Sequence, residues 1–297
     1  PAKTQMAAIM EKANAKRVYD TPDKGILWGW EVSGYVFTKA ISAGSILVLF
    51  LASFLNVGFS AETNWLGIGL GLGFLVLTGG LLVKDLDQPL RFVYVLLRPQ
   101  WRSWLVRGGY SITAFGGLLT LWAVGLYFDI HLVSDIAMWL SAAFAVVVAI
   151  YTAFLFAQAK GRDFWQSPTL AFHMFIHSVM AGAGALAIGN LLMANDANWG
   201  GFLETILLIT LVANVVLLVV ELGTTHPTAD AKATVHMIMK GRYKNRFWGG
   251  VVFFGNLLPI AMVFFGAPAA VTGLVALIGI ILQEKIWVEA PQRIPLA

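Results

Sequence analysis

Residues 201–222 read GFLETILLITLVANVVLLVVEL, with Glu204 and Glu221 as the only charged side chains, each near an end. At 1.5 Å per residue a helix of this length reaches about 33 Å, and a bilayer's hydrocarbon asks for roughly 20 mostly apolar residues. A strand of a membrane barrel would alternate apolar and polar positions over about ten residues, and this run does not. It reads as a transmembrane helix. Seven further windows share its character: about 33–55, 65–83, 105–127, 135–157, 169–193, 247–265 and 268–284. The predicted fold class is an all-α membrane protein with eight transmembrane helices.

The composition agrees. Of 297 residues 58% are hydrophobic and only 12% charged, with a mean hydropathy of +0.76. Soluble domains are nearer 45–50% apolar and about 25% charged, so an ordinary soluble fold and a disordered chain are both excluded. The net charge of +4 is spread thinly and forms no basic stripe, which argues against nucleic acid as a partner. There are no cysteines, so neither an iron–sulfur cluster nor a thiolate metal site can be held here. Residues 1–30 are polar with scattered charges and lack the apolar core of a signal peptide, so insertion is expected to rely on the internal spans.

The basic residues orient the spans. Nineteen of the twenty Lys and Arg residues fall in the N-terminal segment, the second, fourth and sixth loops and the tail, all on one face. The loops on the other face, 56–64, 128–134, 194–200 and 266–267, carry none. By the positive-inside rule both termini are cytoplasmic and the protein is a multi-pass constituent of the inner (cytoplasmic) membrane. A basic face selected to dock an acidic partner is the other explanation of the same asymmetry. Trp28, Trp30, Trp101, Trp104, Trp165, Trp248 and Trp287 fall near the basic face and Trp65, Trp139 and Trp199 near the other, as interfacial tryptophans do.

A shift of 138 residues lays Ala43-Gly44 on Ala181-Gly182, Gln88-Pro89 on His226-Pro227 and Lys39 on His177. The correspondence maps spans one to four onto spans five to eight, predicting two four-helix bundles related by an internal repeat. The expected organisation is an N-terminal interfacial segment at 1–32, bundles at 33–157 and 169–284, and a tail at 285–297. The small residues Ser42, Ala43, Gly44 and Ala181–Gly184 read as surfaces for close helix contact, and the run Gly67, Gly69, Gly71, Gly73 as a packing face.

Ionisable groups at membrane depth cost roughly 2.5–3.5 kcal/mol on translocon scales, so each needs a reason. Lys39 lies about 9 Å inside the first span, where it can either snorkel back to the basic face or serve a function. Glu31, Asp85, Asp87, Arg91 and Tyr151 share its end of the molecule. A lysine, a carboxylate and a phenol at one depth outline a proton-coupled quinone site. A membrane haem needs axial histidines from facing helices, but only His173 and His177 lie in a span, four apart on one helix, so they read as hydrogen-bonded packing and haem is not expected. Glu204 and Glu221 read as solvated helix ends.

The stretch Val83-Lys84-Asp85-Leu86-Asp87-Gln88-Pro89-Leu90-Arg91-Phe92, followed by Arg107-Gly108-Gly109, resembles the D-L-x-x-P-x-R-F signature of the NrfD/PsrC family, the membrane subunits of polysulfide-reductase-type complexes. Tyr35-Val36-Phe37 leading to Ser42-Ala43-Gly44, Tyr151-Thr152-Ala153, Phe247-Trp248-Gly249-Gly250 with Pro259, and the tail Val288–Leu296 are similar to the same family. The resemblance implies a quinone/quinol-binding membrane anchor of a multisubunit oxidoreductase, respiratory in type, with menaquinone or ubiquinone as cofactor and neither haem nor iron–sulfur cluster of its own. It implies a four-cluster ferredoxin-like iron–sulfur subunit docked on the basic face, and beyond it a molybdopterin or multihaem catalytic subunit. Carried over residue by residue, it places Lys39, Asp85 and Tyr151 around the headgroup, with Asp85 or Tyr151 relaying protons and Arg91 holding the Asp85 loop. Lys39 stands where relatives commonly have Asn or His. Two other classes stay open on sequence grounds: a proton-conducting or transport protein, which requires a continuous polar path, and an inert anchor, which requires no site.

Overall fold

The computed structural model describes residues 26–85, 92–193 and 197–295; Asp87 and Arg91 lie outside the described residues. The elements, in chain order, are α1 (Trp30–Phe54), α2 (Ala61–Lys84), a short α3 (Phe92–Leu97), α4 (Trp104–Tyr127), α5 (His131–Ala157), a 3-10 turn (Asp163–Gln166), α6 (Thr169–Met193), α7 (Ala197–Gly223), α8 (Ala229–Met239), a π-helical segment (Arg246–Leu257) that runs into α9 (Leu258–Phe264), and α10 (Ala269–Gln292). Eight of these are long and apolar enough to cross a membrane, the π segment and α9 together forming the seventh. No strand occurs among the described residues. The eight spans match the eight windows read from the sequence.

The last span departs from its window. Apolarity fades at Glu284, yet α10 continues through Glu289 to Gln292, because Glu284, Trp287 and Glu289 turn inward and are buried. Residues 285–292, expected as tail, are helix. Their end is tied down: Gln292 Nε2 donates to the Trp28 carbonyl at 2.9 Å, Gln292 Oε1 accepts from the Trp28 amide at 2.9 Å, and Arg162 donates to the Ile294 carbonyl.

α1 and α6 form the centre and pack directly on each other, with α2 and α5 flanking α1, and α7 and α10 flanking α6. Their crossing needs the absence of side chains. A methyl group on Gly44 would overlap the Ser178 carbonyl, and one on Gly182 would overlap the Gly44 backbone. With no hydrophobic drive between helices in lipid, such close backbone approach supplies much of the association. Gly44 and Gly182 are the positions the 138-residue shift superposes. A second contact of this kind brings Gly184 against Gly273, and a third Gly255 against Gly279. In the glycine run of α2, Gly67 and Gly71 pack under Leu49, Ile46 and Leu119, while Gly69 and Gly73 have nothing within 4 Å. Only half of that run is a packing face, as a helical i, i+4 spacing dictates.

The π segment has a local cause. Pro259 at the head of α9 has no N–H to offer and its ring crowds the carbonyl four residues earlier. Within the π segment the Val251 carbonyl accepts a hydrogen bond from Asn256 Nδ2 at 2.8 Å. Such π turns often accompany functional sites.

Candidate functional site

Lys39 does not snorkel. Its side chain is 1% exposed, and its Nζ donates to the Ala149 carbonyl at 2.9 Å and to Thr152 Oγ1 at 2.8 Å, both on α5. Nζ also lies 4.8 Å from the centre of the Tyr151 ring. Two of the three ammonium N–H groups are thus spent on α5. Tyr151 is buried, and its hydroxyl makes no hydrogen bond among the described residues. Its ring lies over Gly108 on α4, where any Cβ would collide with it; the glycine that follows Arg107 in the motif therefore makes room for the phenol. Tyr35, one turn before Lys39 on α1, is buried with its hydroxyl beside Thr152.

Asp85 caps the C-terminal end of α2 and lies within electrostatic reach of Tyr35. Glu31 pairs with Lys84 at 3.6 Å on the surface, with Lys84 also over the Trp30 ring at 4.3 Å. Of the predicted site residues, the structure brings Lys39 and Tyr151 into direct contact and sets Asp85 near the same pair through Tyr35.

A second buried polar group occupies the other half of the molecule, and sequence reading missed most of it. His173 and His177 on α6 face Glu221 and Asn214 on α7, Gln283 and Glu284 on α10, and Asn256 on the π segment, all of them buried. His177 Nδ1 lies 2.6 Å from Glu284 Oε1, and His173 Nδ1 lies 3.1 Å from Glu221 Oε2. Glu221 is 2% exposed, so its reading as a solvated helix end is corrected: the His173 ring holds it inside. Glu284 also lies within electrostatic reach of Lys39, which links the two polar groups across the α1–α6 contact. A seven-residue spacing puts Asn214 and Glu221 on one face of α7, and a four-residue spacing does the same for the histidines; these were the legible signals.

The three groups His173, His177 and Glu284 offer ligand atoms within 4.8 Å of one another. Two donors on one Zn²⁺ ion, each about 2.0–2.2 Å from it in a tetrahedron, stand roughly 3.3 Å apart. The 2.6 Å between His177 Nδ1 and Glu284 Oε1 is instead the length of a charge-assisted hydrogen bond. This arrangement holds a proton.

Outside the spans, Tyr243 donates to Glu289 Oε2 at 3.0 Å and accepts from Arg293 Nε at 2.7 Å. Burial pushes its phenol above the ordinary value, and the Arg293 guanidinium opposes that.

Eight spans around a glycine crossing, with two buried, hydrogen-bonded groups of ionisable side chains among the described residues, define a multi-pass membrane protein with polar groups at depth. Comparison with known proteins makes this specific. The family model described as "Polysulphide reductase, NrfD" matches residues 21–282, and the protein belongs to that family. Among relatives it is similar to a polysulfide reductase chain of Wolinella succinogenes, 23% identical over 80% of this sequence and 83% of that one. It is also similar to a putative dimethyl sulfoxide reductase membrane subunit of Halobacterium salinarum, 24% identical over 56% of this sequence; that match spans 43% of the relative's length. The family establishes a membrane-subunit role of the reductase-complex type.

Proposed function

We propose that the protein is the quinone-reactive membrane subunit of an oxidoreductase complex, binding a headgroup at Lys39 and Tyr151 and exchanging electrons with an iron–sulfur subunit docked on the basic face. The observation that carries this reading is the Tyr151 hydroxyl, buried and without a partner among the described residues, beside the Lys39 ammonium. A buried hydroxyl left unpaired costs about 1–3 kcal/mol, and a carbonyl oxygen of a ligand removes that cost. The residues therefore fit a quinone: one donor from Tyr151, one remaining N–H from Lys39, and apolar helices for the tail.

A bound quinone supplies the two-electron, two-proton chemistry. The protein's own residues orient it and handle protons: Lys39 and Tyr151 hold the headgroup oxygen, and Asp85, at the end of α2 near the basic face, passes protons to and from water. The same reading makes 33–157 and 169–284 two copies of one four-span unit, of which the first binds the headgroup, and sets both termini in the cytoplasm. It also gives the iron–sulfur subunit a molybdopterin or multihaem partner, by analogy with the complexes whose subunits the relatives are named for. An inert anchor is the reading that must fail. Binding of a quinone analogue to the purified complex, lost in Tyr151→Phe and Lys39→Met with assembly intact, is the expected result; wild-type complex that binds no analogue would overturn the assignment.

A further inference from the structure

The hydrogen bonds of the second polar group determine where its protons are. Asn256 Nδ2 donates to the Val251 carbonyl, a group that can only accept, so Asn256 Oδ1 faces Asn214. Asn214 Nδ2 spends both hydrogens, on Asn256 Oδ1 at 3.0 Å and on Gln283 Oε1 at 3.1 Å. Asn214 Oδ1 therefore faces His177 Nε2 as an acceptor at 3.2 Å, and that nitrogen carries hydrogen. His177 Nδ1 faces Glu284 Oε1 at 2.6 Å, so one proton is shared on that line and the His177–Glu284 pair is neutral as a whole. With Gln283 Oε1 used as acceptor, Gln283 Nε2 donates to His173 Nε2 at 3.5 Å, so His173 is neutral and gives its single N–H, on Nδ1, to Glu221. With the His177–Glu284 pair neutral, Lys39 balances Glu221, and the buried set is neutral, as a low-dielectric interior demands.

One acceptor stays open. Glu221 Oε1 is buried and has no hydrogen-bond partner among the described residues. Glu221 stands two residues before the end of α7 at Gly223, and Gly223, Thr224 and Thr225 are exposed. It is the member of the network nearest water on the basic face.

We propose that this network is a charge-compensating proton site for the headgroup site: when Lys39 gives a proton to the headgroup oxygen, Glu221 takes one from water at the basic face. The inference rests on the proposed quinone reading. The step balances. A two-electron reduction, its electrons supplied by the docked iron–sulfur subunit, requires two protons: the Lys39 ammonium gives one and becomes a neutral amine, and the other comes from water at the basic face by way of Asp85. The buried set then carries one excess negative charge, and the Glu221 carboxylate becomes a carboxylic acid by taking a proton at Oε1. Glu284 transmits the change because it meets His177 at 2.6 Å and His173 at 3.7 Å, lies within electrostatic reach of Lys39 and Tyr35 on α1, and is joined to Glu221 on α7 through the His173 ring. Return of a proton to Lys39 on reoxidation reverses the sequence.

The experiment is electrochemically driven infrared difference spectroscopy of the purified complex, preceded by a measurement of quinone-analogue binding. Reduction should produce the carbonyl stretch of a newly protonated carboxylic acid. That band should vanish in Glu221→Gln and move, without vanishing, in Glu221→Asp, which keeps the carboxyl and serves alone if the amide variant does not assemble. Analogue binding with a band that both variants leave unchanged overturns the proton site and spares the quinone reading. Absence of analogue binding overturns both. Elemental analysis that finds a stoichiometric divalent metal, lost in His177→Gln, also overturns it, since a metal would then occupy the place assigned to the proton.

Discussion

Replacing Lys39 by Met separates a functional lysine from a structural one. The substitution removes two hydrogen bonds from a charged donor, to Ala149 O and Thr152 Oγ1, each about 1.5–3 kcal/mol. Against that loss stands the cost of keeping an ammonium out of water, several kcal/mol for a buried ion even after relaxation. Neither acceptor is stranded: Ala149 and Thr152 lie within α5, where the carbonyl keeps its helical bond and the hydroxyl can turn to the carbonyl four residues back. Glu284 keeps His177 at 2.6 Å, and the buried negative charge left by the lost ammonium is neutralised by a proton taken up at Glu221, as in the proposed step, so no uncompensated ion remains. Met matches the stem in length and flexibility. The terms nearly cancel, and Lys39→Met should change the stability of the complex by no more than about 1–2 kcal/mol, a small shift in detergent melting temperature. Affinity for a quinone analogue should drop at least tenfold, the loss of one charge-assisted hydrogen bond at about 1.4 kcal/mol per decade. Melting curves and analogue titration on one preparation decide it. A collapse of stability with unchanged affinity would show that Lys39 is a strut between α1 and α5.

The other predictions concern packing and charge. Gly44→Val should prevent accumulation of folded protein, because its side chain would enter the Ser178 backbone and neither helix can yield; wild-type levels in membranes would refute the α1–α6 crossing. Gly108→Ala must displace the Tyr151 ring, costing about 1–3 kcal/mol as overpacking does and weakening analogue binding, which melting and titration report together. Lys84→Met breaks an exposed pair with Glu31 and should alter stability by less than about 1 kcal/mol at any salt concentration. Tyr243 is an acid whose folded form holds its proton above the ordinary value of 10.0. The folded state then binds more protons than the unfolded one as pH climbs past that value, so this contribution is present below it and is lost above it. Melting temperatures of wild type and Tyr243→Phe should converge as pH rises above 10, the ordinary phenol value, and a constant gap would contradict the assignment.

Much of the molecule was legible because lipid permits few solutions. With every backbone group satisfied inside its own helix, span length and the basic asymmetry of the loops are written in composition. Gly44 and Gly182 were legible through the repeat, and they meet in space. Lys39 was ambiguous, since a four-carbon stem reaches either water or α5, and only the position of Ala149 and Thr152 decides between them. What was not legible is the pairing of α6 with α7 and α10. Hydropathy ends a span at its first charge, so Glu221 looked solvated and Glu284 looked terminal, although both point inward.

That failure has a physical meaning. A hydropathy window treats a carboxylate as a cost to be placed at the water, and the rule holds when the carboxylate is alone. Glu221 and Glu284 are not alone: each meets an imidazole on α6, and the two histidines are oriented by amides whose own orientation is anchored at the Val251 carbonyl in the π segment. The cost of burial is met by a series of donors that ends on a backbone irregularity. Asn256→Leu therefore acts at a distance. It releases the Asn214 amide to rotate, removes the reason for His177 Nε2 to hold hydrogen, and breaks the proton-sharing pair of His177 and Glu284, although no residue touching Glu284 is changed. The expected stability loss is that of breaking a buried pair, about 3–5 kcal/mol, far above the one or two of a single neutral hydrogen bond. A loss no larger than the latter would mean that the linked amides do not set the histidine protons.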